Sequence, residues 1–195
     1  ANPTWTAADI ATSADGAQDV HVADMDGDGD LDIVSASTVD HTIAWYENDG
    51  AADPSWTAAD IATSANYAKG VYVADMDGDG DLDIVSASSG DDTIAWYEND
   101  GAANPTWAAA DITTSANSAY DVHVADMDGD GDLDIISGHY GHPLGGPSFA
   151  NDTIAWYEND GAADPTWNAF DIASTGVDPR DIEVADMDGD GDLDI

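Results

Sequence analysis

The sequence has no cysteine, and only two of its 195 residues are basic, Lys69 and Arg180. Without thiols, neither disulfides nor thiolate metal sites are available, which removes zinc fingers and dithiol redox chemistry together and leaves oxygen-ligated ions as the means of stapling the fold. Against those two bases stand 42 acidic residues, giving a formal charge of −40. Such a balance excludes nucleic acid and anionic membrane surfaces as electrostatic partners and favours cations. Long apolar runs are missing too. No stretch approaches the roughly 18 to 20 residues of a membrane-spanning helix, and the opening Ala1-Asn2-Pro3-Thr4-Trp5 has neither the basic nor the apolar region of a signal peptide. A secreted form would have lost its signal or carry it upstream.

What is present is repetition. Hydrophobic residues make up 43% of the chain, enough for a packed core and too much for a disordered acidic tail. Trp5, Trp56, Trp107 and Trp167 head one pattern at intervals of 51, 51 and 60 residues. The units are therefore 1–51, 52–102, 103–162 with a nine-residue insertion, and a partial fourth at 163–195. The first two agree at 41 of 51 positions.

Within a unit, four short runs alternate in polarity and are separated by Gly, Asn, Asp and Pro, which suits strands rather than helices. They are Trp5 to Ala11, Asp19 to Ala23, Leu31 to Ser37 and Thr42 to Glu47. In the last, Ile43 and Trp45 oppose Ala44 and Tyr46, so both faces carry apolar bulk, as in a sheet packed between neighbouring sheets. The expected fold class is all-β: tandem four-stranded antiparallel blades, β-propeller-like, forming part of a propeller or an open β-repeat array. If blades start at Asp19 to Ala23, the chain opens on the last strand of one blade and stops inside another. A longer polypeptide or a second copy would supply the missing strands.

The nonapeptide Asp-Met-Asp-Gly-Asp-Gly-Asp-Leu-Asp occurs four times and carries the candidate metal ligands. They are Asp24, Asp26, Asp28, Asp30 and Asp32; Asp75, Asp77, Asp79, Asp81 and Asp83; Asp126, Asp128, Asp130, Asp132 and Asp134; and Asp186, Asp188, Asp190, Asp192 and Asp194. Ca²⁺ takes six to eight oxygens at about 2.3–2.6 Å, and a tight loop with alternating acids turns several inward. In the first loop Asp24, Asp26, Asp28 and Asp32 would offer side chains and Asp30 its backbone carbonyl, with Gly29 permitting the sharp turn. An EF-hand shares the first six positions but requires a bidentate Glu at the twelfth, where Ser35, Ser86 and Ser137 stand, and the strand-like flanks exclude its helices. Magnesium, which keeps waters and demands octahedral geometry, is the weaker candidate. About one Ca²⁺ per repeat is expected.

The stretch Val-Ala-Asp-Met-Asp-Gly-Asp-Gly-Asp-Leu-Asp-Ile resembles the FG-GAP and VCBS repeats, including those of the integrin α-chain propeller, and the likeness covers essentially the whole chain. The resemblance implies that the strand, Asp-rich loop, strand unit forms the inner part of a propeller blade and that the loop binds calcium. Asp24, Asp26, Asp28, Asp30 and Asp32 match that motif position by position.

Differences between the first two units gather at positions 15–21 and 38–41, at the blade end opposite the Asp loop, and the insertion within Gly138 to Asp152 falls there as well. Two readings stand: loops tolerate change, or this end is a contact face. In the insertion, His139 and His142 are weighed as metal ligands or as an exposed loop beside Pro143, Gly145 and Gly146. Tyr140 and Phe149 are weighed as a carbohydrate or protein contact or as pins for the loop. Trp5 and Trp45, repeated at fixed strand positions, are expected in inter-blade core rather than on a sugar platform. No acid–base pair or activated nucleophile breaks the symmetry of the repeats, so an enzyme is not expected. The expected function is a calcium-stiffened extracellular scaffold, secreted or at the cell surface, that associates with copies of itself into a larger assembly or filament. The alternative is an adhesion or glycan-binding propeller, the accessory domain of a secreted polysaccharide-degrading enzyme among its forms.

Overall fold

The computed structural model describes residues 7–140, 152–174 and 179–195. Twelve strands form three four-stranded sheets. The first holds β1 (Ala17–Ala23), β2 (Asp32–Ser37), β3 (Thr42–Asn48) and β4 (Trp56–Ala62). The second holds β5 (Ala68–Ala74), β6 (Asp83–Ser88), β7 (Thr93–Asn99) and β8 (Trp107–Thr113). In the third are β9 (Ala119–Ala125), β10 (Asp134–His139), β11 (Thr153–Asn159) and β12 (Trp167–Ser174). Strands neighbour one another in chain order and all pair antiparallel. No described residue is helical.

The sheets are thus the expected tandem blades, each spanning the seam between two sequence units. One expected strand differs. Residues 7–11 of Trp5 to Ala11 carry no strand, and Trp5 itself lies outside the described residues. Its equivalents β4, β8 and β12 each pair with the third strand of their own sheet, whereas residues 7–11 have no ladder partner among the described residues. In the fourth unit the described residues pair through one bridge, Ala185 to Asp194, which closes the Asp loop.

Alternation along β2 and β3 assigns the faces. Val34 pairs with Trp45 and Ala36 with Ile43 on one side, while Ile33 pairs with Tyr46 and Ser35 with Ala44 on the other. The Trp45 side packs on Val71, Val73, Ile84, Ala95 and Tyr97 of the next sheet, and the Trp96 side packs likewise on Val122, Val124, Ile135, Ala155 and Tyr157. The first two blades therefore each bury their Trp face in the Tyr face of the next. The half-buried Trp107 and Trp167 pack against the inter-blade core, with Trp45 meeting Trp107 edge-on at 6.5 Å, and Trp45 and Trp96, 4% exposed, belong to that core. Truncating such a residue costs about 3–5 kcal/mol.

Successive connections alternate between the two ends of a blade. At one end the Asp loop meets the β3–β4 turn, where Asn48 donates to Asp32 Oδ1 at 2.8 Å and to the Leu31 carbonyl at 3.0 Å. At the other, the segment before β1 meets the β2–β3 turn, with Thr38 N donating to the Gly16 carbonyl and Val39 N to that of Asp15, both at 3.0 Å. Most of the positions that differ between units lie at or lead into this second end, as the sequence suggests, while Asp53 and Ser55, which differ from Asn2 and Thr4, lie in the β3–β4 turn at the Asp-loop end.

Candidate metal centre

Each of the first three Asp loops connects two strands whose ends are pinned by ladder pairs, Ala23 with Asp32 in the first, and the fourth is closed by the bridge from Ala185 to Asp194. Nine residues must reverse the chain within that constraint. Gly27 and Gly29 do so at φ of +73° and +98°, and the equivalent glycines repeat these values closely. Side chains rarely adopt such a backbone. The turn is then laced by its own acids: Asp28 N donates to Asp26 Oδ1 at 3.2 Å, Gly29 N to Asp24 Oδ2 at 2.9 Å and Asp30 N to Asp28 Oδ1 at 2.9 Å.

This lacing brings carboxylates together. One ligand atom each from Asp24, Asp26 and Asp28 lie within 4.8 Å of one another, and the same holds for Asp75, Asp77 and Asp79 and for Asp126, Asp128 and Asp130. In the fourth loop the cluster is Asp186, Asp188 and Asp194. Oxygens at about 2.3–2.6 Å around one calcium are at most about 5 Å apart, so the clusters have the right compactness. Asp24 Oδ1 and Asp75 Oδ1 are buried with no hydrogen-bond partner. A buried carboxylate oxygen without a donor is costly, and a cation in the cluster is the partner that would relieve it. The third loop differs, since Asp126 Oδ1 accepts from Gly129 N at 2.8 Å and Asp130 N at 3.1 Å.

The remaining two acids of the motif have separate placements. Asp32, Asp83 and Asp134 are 1% exposed, and each clasps its loop: Asp32 Oδ2 accepts from Met25 N at 3.1 Å while Oδ1 takes Asn48 N. Each oxygen keeps a second lone pair, so the clasp is compatible with a ligand role. The charge of Asp32 acts on Asp26, as that of Asp77 acts on Asp83 and that of Asp128 on Asp134. The Asp30, Asp81 and Asp132 carboxylates turn instead against Gly50, Gly101 and Gly161 in the adjoining turn, where any Cβ would strike them. Such side chains leave the backbone carbonyl as the group they can offer an ion.

Burial and crowding hold four of these acids, Asp26, Asp77, Asp83 and Asp134, toward their neutral form. Desolvation, then the charges of Asp28, Asp32 and Asp24, push Asp26 up from the ordinary carboxylate range. Desolvation raises Asp83 to about 6, against the hydrogen bonds from Asn99 and Met76 that favour its anion. Asp77 and Asp134 are raised by the same cause.

Neighbouring loops are joined. Asn99, 2% exposed, donates from its side-chain amide to the Leu82 carbonyl in its own loop and to the Met25 carbonyl in the preceding one, both at 3.0 Å. Asn159 does the same for Leu133 and Met76. Sequence periodicity places one Asn per turn but cannot say that its amide crosses to another blade.

The insertion reads differently from expectation. His142, Pro143, Gly145, Gly146 and Phe149 lie outside the described residues. His139 is neither in an exposed loop nor in a carboxylate cluster: it ends β10, is 7% exposed, and has Nε2 2.5 Å from Ser137 Oγ and 3.2 Å from the Tyr157 hydroxyl. Strand pairing with Thr153 carries it inward, where Ser37 and Ser88 stand in the other blades. Desolvation lowers its imidazole to about 4. Tyr140 lies 5.9 Å from the Arg180 guanidinium, which supports a role in holding that end together.

Comparison with known proteins agrees with the repeat. The profile of the FG-GAP-like repeat matches residues 24–86 and 75–137, each match running from one Asp loop through the next. A search of curated proteins finds no match.

Proposed function

The chain belongs to the FG-GAP-like repeat family, and from that premise we propose that it is a non-enzymatic, calcium-binding scaffold whose ions stiffen a row of blades. The observation that carries this reading is the partnerless, buried Oδ1 of Asp24 and Asp75 within compact carboxylate clusters that recur in every loop. Calcium is favoured over magnesium because the acids outnumber what an octahedral ion with retained waters needs. Neutralising each cluster removes the repulsion that opposes loop closure, so binding energy becomes folding energy. The bonds from Asn99 and Asn159 would pass that rigidity between blades. Calorimetric titration of chelator-treated protein tests this: four sites, with magnesium binding far more weakly, support it, and no saturable calcium binding overturns it.

Self-association belongs to the same proposal. Val71 and Val73, covered by the preceding blade, are 3% and 7% exposed, whereas their equivalents Val20 and Val22 are 59% and 52% exposed. Together with Ile33 and Tyr46 they line an open cavity of about 350 Å³. This surface is the Tyr face of a blade, and its complement is the Trp face of another. A second copy seated there would extend the row, and with four Ca²⁺ bound a formal charge of about −32 would limit lateral clumping. Calcium at the concentrations such sites require is found outside cells, which favours an extracellular setting. No helix among the described residues is long and apolar enough to cross a membrane.

A further inference from the structure

On the Tyr face of the second blade, Ile84 pairs with Tyr97 and Tyr97 with Ala109, Ser86 pairs with Ala95 and Ala95 with Asp111, and Ser88 pairs with Thr93 at the end of the ladder. The Trp side of the first blade packs on this face. At the end opposite the Asp loops the two blades leave a cavity of about 460 Å³ between residues 61–65 of the first and Ser88, Asp91, Tyr97 and Asp111 of the second. That volume is in the range of small-molecule sites.

Its walls are apolar at Ile61, Ala95 and Ala109, and its polar groups differ in depth. Ser88 and Tyr97 are 2% and 5% exposed, whereas Asp91 and Asp111 reach solvent. Ser86 Oγ donates to the Tyr97 hydroxyl at a long 3.5 Å, and among the described residues no acceptor takes the Tyr97 proton and no group pairs with the Ser88 hydroxyl. Hydroxyls this deeply buried ordinarily have partners, so both are poised for a group that enters the cavity. Desolvation raises the Tyr97 phenol above its ordinary range, the Ser86 bond opposes this, and the charges of Asp111 and Asp91 add to it, so the phenol keeps its proton and donates. The junction of the second and third blades supplies the contrast. There His139 stands in the place of Ser88, and its Nε2 meets both Ser137 Oγ and the Tyr157 hydroxyl, so the corresponding cavity of about 250 Å³ has its hydroxyls already paired.

Neither Lys69 nor Arg180 lines the larger cavity, so Asp91 and Asp111 call for a positive charge from outside, and a net charge of −40 gathers cations at the surface. A divalent ion is better served by the Asp loops, where carboxylates converge in threes, and Asp91 and Asp111 belong to no such group. Apolar walls suit an alkyl chain. The inner hydroxyls suit a neutral oxygen, since an ammonium cannot accept from Tyr97 and a carboxylate would be repelled by Asp91 and Asp111. We propose that this cavity is a binding site for a small protonated amino alcohol, its ammonium held by Asp91 and Asp111 at the mouth and its hydroxyl by Ser88 and Tyr97 inside.

The site needs folded blades but not self-association, so the calcium-loaded full chain is titrated and followed by NMR of its amides. The probes are aminopropanol and aminopentanol, with pentylamine and pentanediol each lacking one of the two functions. At least one amino alcohol gives saturable shifts at Ser88, Thr93 and Tyr97, and pentylamine and pentanediol bind at least tenfold more weakly. Asp111→Asn and Tyr97→Phe each weaken the binding at least tenfold at an unchanged melting temperature, and Asp171→Asn, in the smaller cavity, leaves it unchanged. If Tyr97→Phe lowers the melting temperature, Asp111→Asn gives the same test from an exposed side chain. Absence of saturable shifts at this cavity, shifts confined to the Asp loops, equal affinity for pentanediol, or unchanged affinity in Asp111→Asn overturns the proposal. Any of these with calcium binding intact overturns it alone and leaves the scaffold reading standing.

Discussion

The side-chain amide of Asn99 reaches from the second blade to the Met25 carbonyl inside the Asp loop of the first, at 3.0 Å and out of contact with water. One residue thereby ties two candidate cation sites. The side-chain amide of Asn48, its equivalent in the first blade, donates to the Leu31 carbonyl in its own loop.

Asn99→Ala removes two donors and strands the Met25 and Leu82 carbonyls, each unsatisfied group costing about 1–3 kcal/mol. A loss of roughly 2–4 kcal/mol is expected in denaturant unfolding. Asn48→Ala, with one partner at a more exposed position, costs less than about 1 kcal/mol. Equal losses for the two would show that the crossing bond contributes nothing.

Asp28→Ala removes one ligand of the first cluster and lowers calcium stoichiometry by one. In repeat arrays stability is local plus nearest-neighbour, so the second loop, joined through Asn99, loses affinity severalfold while the third and fourth are unaffected. Site-resolved calcium titration by NMR distinguishes this from loss of all sites together.

How much of this was legible in the sequence follows from which signals are local. Strand alternation, turn residues and the acid spacing are local, and they give the blades and the strand-to-strand Asp loop, with strand ends within a residue or two of those observed. The burial of Trp45 followed from its recurrence at one strand position. Three features were not readable. Residues 7–11 have strand pattern but no ladder partner, and pairing is a property of the neighbour. His139 looked like a loop residue because it precedes glycine and proline, whereas its register opposite Thr153 carries it inside. The motif also gave no sign that Asp32 spends both oxygens on clasping its loop while Asp30 leans on Gly50.

His139 gives a pH signature. Its imidazole is neutral in the fold, with a pKa of about 4 against 6.5 when unfolded. The unfolded chain therefore binds the extra proton first, and stability falls as pH drops from 6.5 toward 4, by up to about 3 kcal/mol, then levels off below 4. His139→Ser, the residue of the equivalent positions, flattens this part of the profile. Identical stability profiles for the two proteins between pH 4 and 6.5 would contradict the buried neutral imidazole.

The open Tyr face gives a fourth expectation. Val20→Asp combined with Val22→Lys places charge where a second copy's Trp face would seat and abolishes concentration-dependent association in millimolar calcium, measured by analytical ultracentrifugation. An intact protein that stays monomeric at all concentrations would remove self-association from the account.

The central claim is that calcium in the Asp loops holds the blades together, and thermal unfolding with and without calcium tests it most directly. At free calcium ten times Kd each site contributes about 1.4 kcal/mol by mass action, so four independent sites give on the order of 5–6 kcal/mol. For a chain of this size that corresponds to a melting temperature lower by about 10 °C or more in excess chelator. A melting curve that is the same in calcium and in chelator would contradict the account.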